Sequence, residues 1–164
     1  LPYILVSRKN KKFELVESAL MTPRTDFQVV LNKGKAIIFG GFGSDDKSST
    51  LIEVFDTQTK QIAKAQYRLP LGVSGARLAW HGKDILLIGG ERLGKRSSHV
   101  MKLDFEEKSI LSMREMGSKR TSPIAIEINH DEVIVIGGNS SKATAEIRKW
   151  NRYLEDYSWA PCTD

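Results

Sequence analysis

The sequence predicts an all-β chain assembled from one repeated four-stranded unit. Three observations carry this. A short stretch occurs three times, as Ala36-Ile37-Ile38-Phe39-Gly40-Gly41, Ile85-Leu86-Leu87-Ile88-Gly89-Gly90 and Val133-Ile134-Val135-Ile136-Gly137-Gly138. The first glycines stand at 40, 89 and 137, spacings of 49 and 48 residues, and a fixed period of that size marks a repeat architecture. No 3.6-residue apolar periodicity is sustained anywhere, so no helix is expected. Each apolar run is too short for a core helix and is bounded by turn residues, so it reads as a fully buried strand. The glycine pair behind it predicts positive φ or a close backbone approach.

Taken in order, the chain begins in the middle of a unit. A strand-like run, a basic turn at 8–12 and a short alternating run from Phe13 make residues 1–20 resemble the second half of the repeats that follow. The first complete unit spans 21–67. A strand at 27–31 turns at 32–35, where Gly34 takes the left-handed conformation, into the return strand 36–39. A polar loop at 42–50, a third strand at 51–55, a turn at 56–60 and a fourth strand from 61 complete it. The second unit, 69–113, repeats the order: Leu78-Ala79-Trp80, a turn at 81–84, the buried run 85–88, a basic loop at 91–98, a strand through 100–103 and a last strand at 109–111. The third, 115–161, runs from a strand at 124–128 through the turn 129–131, the run 133–136, the loop 139–144 and a strand at 145–150 to Tyr157-Ser158-Trp159. Four short strands per unit joined by hairpin turns is the sequence form of a propeller blade.

Bulk properties narrow the class. The 164 residues fit one domain, and 40% hydrophobic with 27% charged residues is ordinary globular composition. No apolar run approaches the ~18 residues of a membrane-spanning helix, and the N-terminus lacks a signal-peptide layout. The single cysteine, Cys162, excludes an internal disulfide and a cysteine-based zinc site. The expected location is intracellular, in the cytoplasm or on the cytoskeleton. The net charge of +5 reads as a basic solvated surface with some leaning toward acidic partners.

These residues resemble kelch repeats over nearly the whole chain. The resemblance rests on the glycine pair after a hydrophobic strand. It rests also on a large apolar residue 12–14 positions later (Phe55, Leu103, Trp150), on a second one after the next turn (Ile62, Ile110, Trp159), and on an arginine at the start of the first strand (Arg24, Arg120). The middle unit has Val73 where the others carry that arginine, and Ile62 and Ile110 stand where the second aromatic is usual. The resemblance implies a β-propeller, of which this chain holds about three and a half four-stranded blades: a half blade at 1–20 and blades at 21–67, 69–113 and 115–161. Propellers close at four to eight blades. Closure therefore calls for further blades in the same chain, which is the favoured expectation, or for a second copy.

Several motifs point to other chemistry and fall short. Gly89 to Lys95 nearly matches a phosphate-binding loop, but Arg96 stands where Ser or Thr would hold magnesium, and a strand rather than a helix is expected next. His81 and His130 occupy equivalent hairpin turns, where solvated side chains are expected; with His99 they suggest no metal site. No cluster joins a nucleophilic Ser or Cys to a His and a carboxylate in one unit in a way that rises above chance, so no catalytic residues and no cofactor are expected. Asn139-Ser140-Ser141 matches a glycosylation sequon and reads as an ordinary loop.

The expected function is that of a non-catalytic protein-binding platform. The resemblance implies a scaffold or adaptor, such as a ubiquitin-ligase substrate adaptor or a cytoskeleton-associated protein. The alternative is a structural wall of a large assembly; an enzyme or a nucleic-acid binder is less expected. In a propeller the loops after each second strand and those leading into each first strand share a face. That geometry groups Arg24, Arg92, Arg96 and Arg120 on one face, with Lys11, Lys12, Lys33 and Lys35 on the other. The expected partner-binding residues are Arg24 and Arg120, with Asp45, Asp46, Arg92, Arg96, Ser122 and Asn139 beside them, pairing with carboxylates or phosphates.

Overall fold

The structure, a computed structural model, describes residues 3–7, 13–17, 20–81, 84–140, 145–151 and 156–162. The described residues contain strands and turns and no helix. The basic turn at 8–12, Gly82 and Lys83, and residues 141–144 and 152–155 lie outside them. A hairpin of β1 (Tyr3–Ser7) and β2 (Phe13–Glu17) comes first, pairing Ser7 with Phe13. The first unit holds β3 (Arg24–Thr25), β4 (Gln28–Asn32), β5 (Lys35–Phe39), β6 (Phe42–Gly43), β7 (Ile52–Asp56) and β8 (Ile62–Lys64). The middle unit holds β9 (Arg77–His81), β10 (Asp84–Ile88), β11 (Glu91–Arg92), β12 (Lys95–Arg96), β13 (Val100–Asp104) and β14 (Ser109–Met113). The last holds β15 (Arg120–Thr121), β16 (Ile124–Asn129), β17 (Glu132–Ile136), β18 (Asn139–Ser140), β19 (Glu146–Asn151) and β20 (Asp156–Pro161). Four strands per unit pair antiparallel in chain order, β4-β5-β7-β8, β9-β10-β13-β14 and β16-β17-β19-β20, a β-propeller-like arrangement.

The uninterrupted apolar runs follow from burial on both sides. Successive side chains of a strand point to opposite faces. Along β10, Ile85 and Leu87 pack with Val30, Ile37 and Phe39 of the first unit, while Leu86 and Ile88 pack with Val133 and Val135 of the last. Each such side chain, removed from water, contributes about 1.5–3 kcal/mol. Phe39 also stacks on Phe105 across the first pair of units, ring centroids 5.9 Å apart. The outer face of the last unit is uncovered: Ile124, Ile126 and Ile136 are 58%, 50% and 41% exposed.

The glycine pair is where neighbouring units touch. Gly41 N–H donates to the Val73 carbonyl at 2.8 Å, and Gly90 N–H to the Arg120 carbonyl at 2.9 Å, so each pair grips the segment leading into the next unit. A Cβ on Gly40 would collide with that Val73 oxygen, and one on Gly89 would lie 2.7 Å from the Arg120 oxygen. All four glycines also have positive φ, so both sterics and backbone conformation exclude a side chain. At Gly137 the space where a Cβ would sit has nothing within 4 Å.

A second backbone link crosses the units. Asp26, Gly75 and Ser122 each follow the lead-in segment by the same offset, and all three have φ near +50° (51°, 56° and 50°). Gly75 N–H donates to the Asp26 carbonyl (3.1 Å) and Ser122 N–H to the Gly75 carbonyl (2.6 Å), forming a belt across three sheets.

The outer hairpins differ from expectation in the last unit. Asp56 and Asp104 close theirs identically, each Oδ1 accepting two backbone N–H groups (Gln58 and Thr59; Glu106 and Glu107). The cross-strand register pairs Ile37 with Val54, Leu86 with Lys102 and Ile134 with Ile147. Phe55 and Leu103 therefore have Arg148, not Trp150, as their counterpart. β19 and β20 run to six residues and carry the hairpin farther out, pairing Trp150 with Tyr157. Counting 12–14 positions from the glycine pair matches Trp150 to the wrong position, because Arg148 follows Gly138 by 10 residues where Phe55 and Leu103 follow their pairs by 14 and 13.

Candidate binding face

Three two-stranded ladders, β3–β6, β11–β12 and β15–β18, lie beyond the glycine pairs. They stand at the opposite end of the sheets from the hairpin turn that carries Lys33. Arg24, Arg92, Arg96, Arg120 and Asn139 all lie on these ladders, and Ser122 directly follows one.

Their side chains have different fates. Arg24 and Arg120, expected to reach a partner, are buried instead, with 0% of either side chain exposed. Arg24 Nη1 lies 3.2 Å from Glu53 Oε1, and Arg120 Nη2 lies 2.7 Å from Glu146 Oε1. Glu53 also accepts Thr22 N–H, while Glu146 accepts Gly117 N–H and the Ser118 hydroxyl; Arg120 Nη1 donates to the Gly137 carbonyl at 2.9 Å. A guanidinium at this position finds a carboxylate on the third strand of its own unit, so the pair ties the lead-in segment to the sheet. The sequence held a signal for this: Glu53 and Glu146 occur only in the units that carry the arginine, and Met101 takes their place in the middle unit.

Arg96 and Asn139 do come together. Arg96 Nη1 donates to Asn139 Oδ1 at 2.9 Å, bridging the middle and last units. Around this bond lies a crevice of about 530 Å³ lined by Glu91, Gly94, Lys95, Arg96, Lys119, Thr121 and Asn139. Lys95, Arg96 and Lys119 are exposed, and among the described residues Glu91 is the sole lining carboxylate. Asp45 lines a separate crevice of about 310 Å³ on the first unit, beside Arg24, Lys47 and Ser48. Asp46 is exposed next to it with φ 56°. Ser122 serves the backbone belt and is exposed, and Arg92 is buried.

The expectation of solvated turn histidines holds for His130 and fails for His81. His130 is 91% exposed. His81 is buried, with Arg148 Nη1 3.3 Å from its Nε2 and 3.5 Å from its Nδ1. Burial, and then the Arg148 charge, push the imidazole below its ordinary pKa. The last unit packs an arginine where the others pack Phe55 and Leu103, and the imidazole offers that cation a neutral polar neighbour. Among the described residues no group of three His, Cys, Asp or Glu side chains is placed to hold a metal ion. The loop from Gly89 leads into a strand, β13, so it lacks the helix that a phosphate-binding loop needs. No helix of the described residues is long and apolar enough to cross a membrane.

Neither models of known protein families nor curated proteins match the sequence. Among solved structures the chain is similar to one described as "Structure of YjhT", with a TM-score of 0.80 and 14% identity. That alignment covers 98% of this chain and 58% of the other, so this chain spans little more than half the length of its structural neighbour; at that identity the likeness is one of fold.

Proposed function

We propose that the chain is part of a kelch-type β-propeller that acts as a non-catalytic scaffold or adaptor, binding acidic segments of other proteins. One observation carries the reading: the crevice between the middle and last units sets the exposed cations Lys95, Arg96 and Lys119 against the single carboxylate Glu91. Arg96 is already oriented by Asn139, which lowers the entropy lost when a partner carboxylate binds. Binding of a fluorescent acidic peptide, followed by polarisation, tests it. Charge reversal of Lys95, Arg96 and Lys119 together should weaken binding at least tenfold, whereas reversal of Lys33 and Lys35 at the other end should change it less than twofold. The opposite pattern would overturn the reading.

The wall of a larger assembly is the second reading, supported by the exposed isoleucines of the last sheet. A further blade of the same protein, or a second copy, would cover that face as each sheet covers its neighbour. Substituting Ile124 and Ile126 with Ser and measuring mass in solution separates the readings: an unchanged mass excludes a second copy on this face.

A further inference from the structure

The middle unit reverses the arrangement of its neighbours. In the first and last units the lead-in arginine stands opposite a small residue, Arg24 opposite Gly43 and Arg120 opposite Ser140. In the middle unit the bridge between Ser74 and Glu91 sets Val73 opposite Arg92, so the guanidinium comes from the other strand. It meets no carboxylate there. Met101 holds the register position of Glu53 and Glu146, and Arg92 Nη2 donates to its sulfur at 3.2 Å. A thioether is a weak acceptor that carries no charge. Arg92 Nε is buried without any partner, and among the described residues no carboxylate lies within ion-pair distance of this arginine.

Glu115, the acid whose charge acts on Arg92, is already engaged. Glu115 Oε2 accepts the Ser98 hydroxyl at 2.5 Å, and Oε1 lies 3.1 Å from His99 Nδ1. Burial lowers the pKa of Arg92, and Glu115 opposes that only from a distance. A desolvated guanidinium without a counter-charge is costly. Arg92 as a whole retains 8% exposure, while its Nε is fully buried. Glu91, directly before it, and Lys95, its cross-strand partner, both line the basic crevice.

We propose that Arg92 is an anion site that takes one carboxylate group, which fills the role Glu53 and Glu146 play in the other units. The carboxylate comes from a small free acid or from an acidic side chain of the partner; only the second source rests on the function proposed above. The guanidinium offers two parallel N–H donors to such a group.

The test uses acetate as the probe, replacing chloride at equal ionic strength. The melting temperature should rise saturably with acetate, and the Arg92 Nε–H resonance should move along the same curve. Met101→Glu supplies the missing carboxylate from within. That variant should be more stable than the parent, and its acetate response should vanish, as it should in Arg92→Gln. A parent without a saturable response, a Met101→Glu variant that keeps it, or a Met101→Glu variant less stable than the parent would each overturn the proposal. An acidic peptide that moves the Nε–H resonance at far lower concentration than acetate assigns the carboxylate to a partner; one that leaves it unmoved assigns it to a free acid. Charge reversal of Lys95, Arg96 and Lys119 leaves Arg92 intact, so failure of the crevice reading shows separately.

Discussion

The middle and last units share a backbone plan and fill three equivalent positions with opposite chemistry. The middle unit has Val73, Met101 and Leu103, all buried and uncharged. The last has Arg120, Glu146 and Arg148, all buried and ionisable. The same ladder of hydrogen bonds thus accepts either an apolar contact or an ion pair. The two differ in how they fail: an apolar contact degrades by degrees as methylenes are removed, whereas a buried pair fails abruptly when one partner goes.

The largest expected effect comes from converting one unit into the other in two steps. Arg120→Val leaves Glu146 buried against Ser118 and Gly117 with no cation, and should cost about 3–5 kcal/mol in denaturant unfolding. Adding Glu146→Met sets the middle unit's residue types at both positions and should recover part of that loss, since the Gly117 N–H and the Ser118 hydroxyl then lack their acceptor. A double variant no more stable than the single would show that the two units are not interchangeable here.

Acid should separate the units next. His81 has its pKa lowered in the folded chain, by burial first and Arg148 second. Between its folded value and the ordinary value of about 6.5, the unfolded chain holds a proton that the folded chain does not. Its contribution is therefore complete above about pH 6.5 and is lost as pH falls below that. Arg148→Leu, the middle unit's residue type, removes the nearby cation, so stability should fall less steeply between pH 6.5 and 5. An unchanged slope would mean that burial alone sets the shift.

The smallest effect lies on the belt. Gly75 takes its left-handed φ without strain, whereas Ser122 holds φ 50° with a side chain present. Ser122→Gly should raise stability by less than about 1 kcal/mol, part of the relief being offset by a more flexible unfolded chain. A loss of stability would show that the hydroxyl matters more than the backbone.

The strands were legible because their signals are local: apolar runs, turn residues and the glycine period all lie within a few residues of the features they predict. The destinations of Arg24 and Arg120 are legible only by comparing units, because each guanidinium is captured by a carboxylate more than two dozen residues away and only the joint presence of Arg and Glu in the same units marks the pair. The burial of His81 likewise depends on Arg148 from the next unit. Trp150 is misaligned by two positions because Arg148 stands closer to its glycine pair than Phe55 and Leu103 do to theirs, and a fixed window counted from that pair passes over it. Arg96 and Asn139, by contrast, were grouped correctly from topology alone, since both follow a glycine pair.

The belt through Asp26, Gly75 and Ser122 also bears on how the array opens. Each of its amides belongs to one sheet and each acceptor to the sheet before, so neither hydrogen bond survives the loss of either neighbour. Hydrogen exchange at Gly75 and Ser122 then reads the coupling between adjacent sheets rather than the stability of one. In a chain of nearest-neighbour couplings, fluctuations are shared by adjoining repeats and fade with distance along the array. Slow exchange at both amides would mark the three sheets as one cooperative block; fast exchange at Ser122 alone would place the seam between the apolar unit and the charged one.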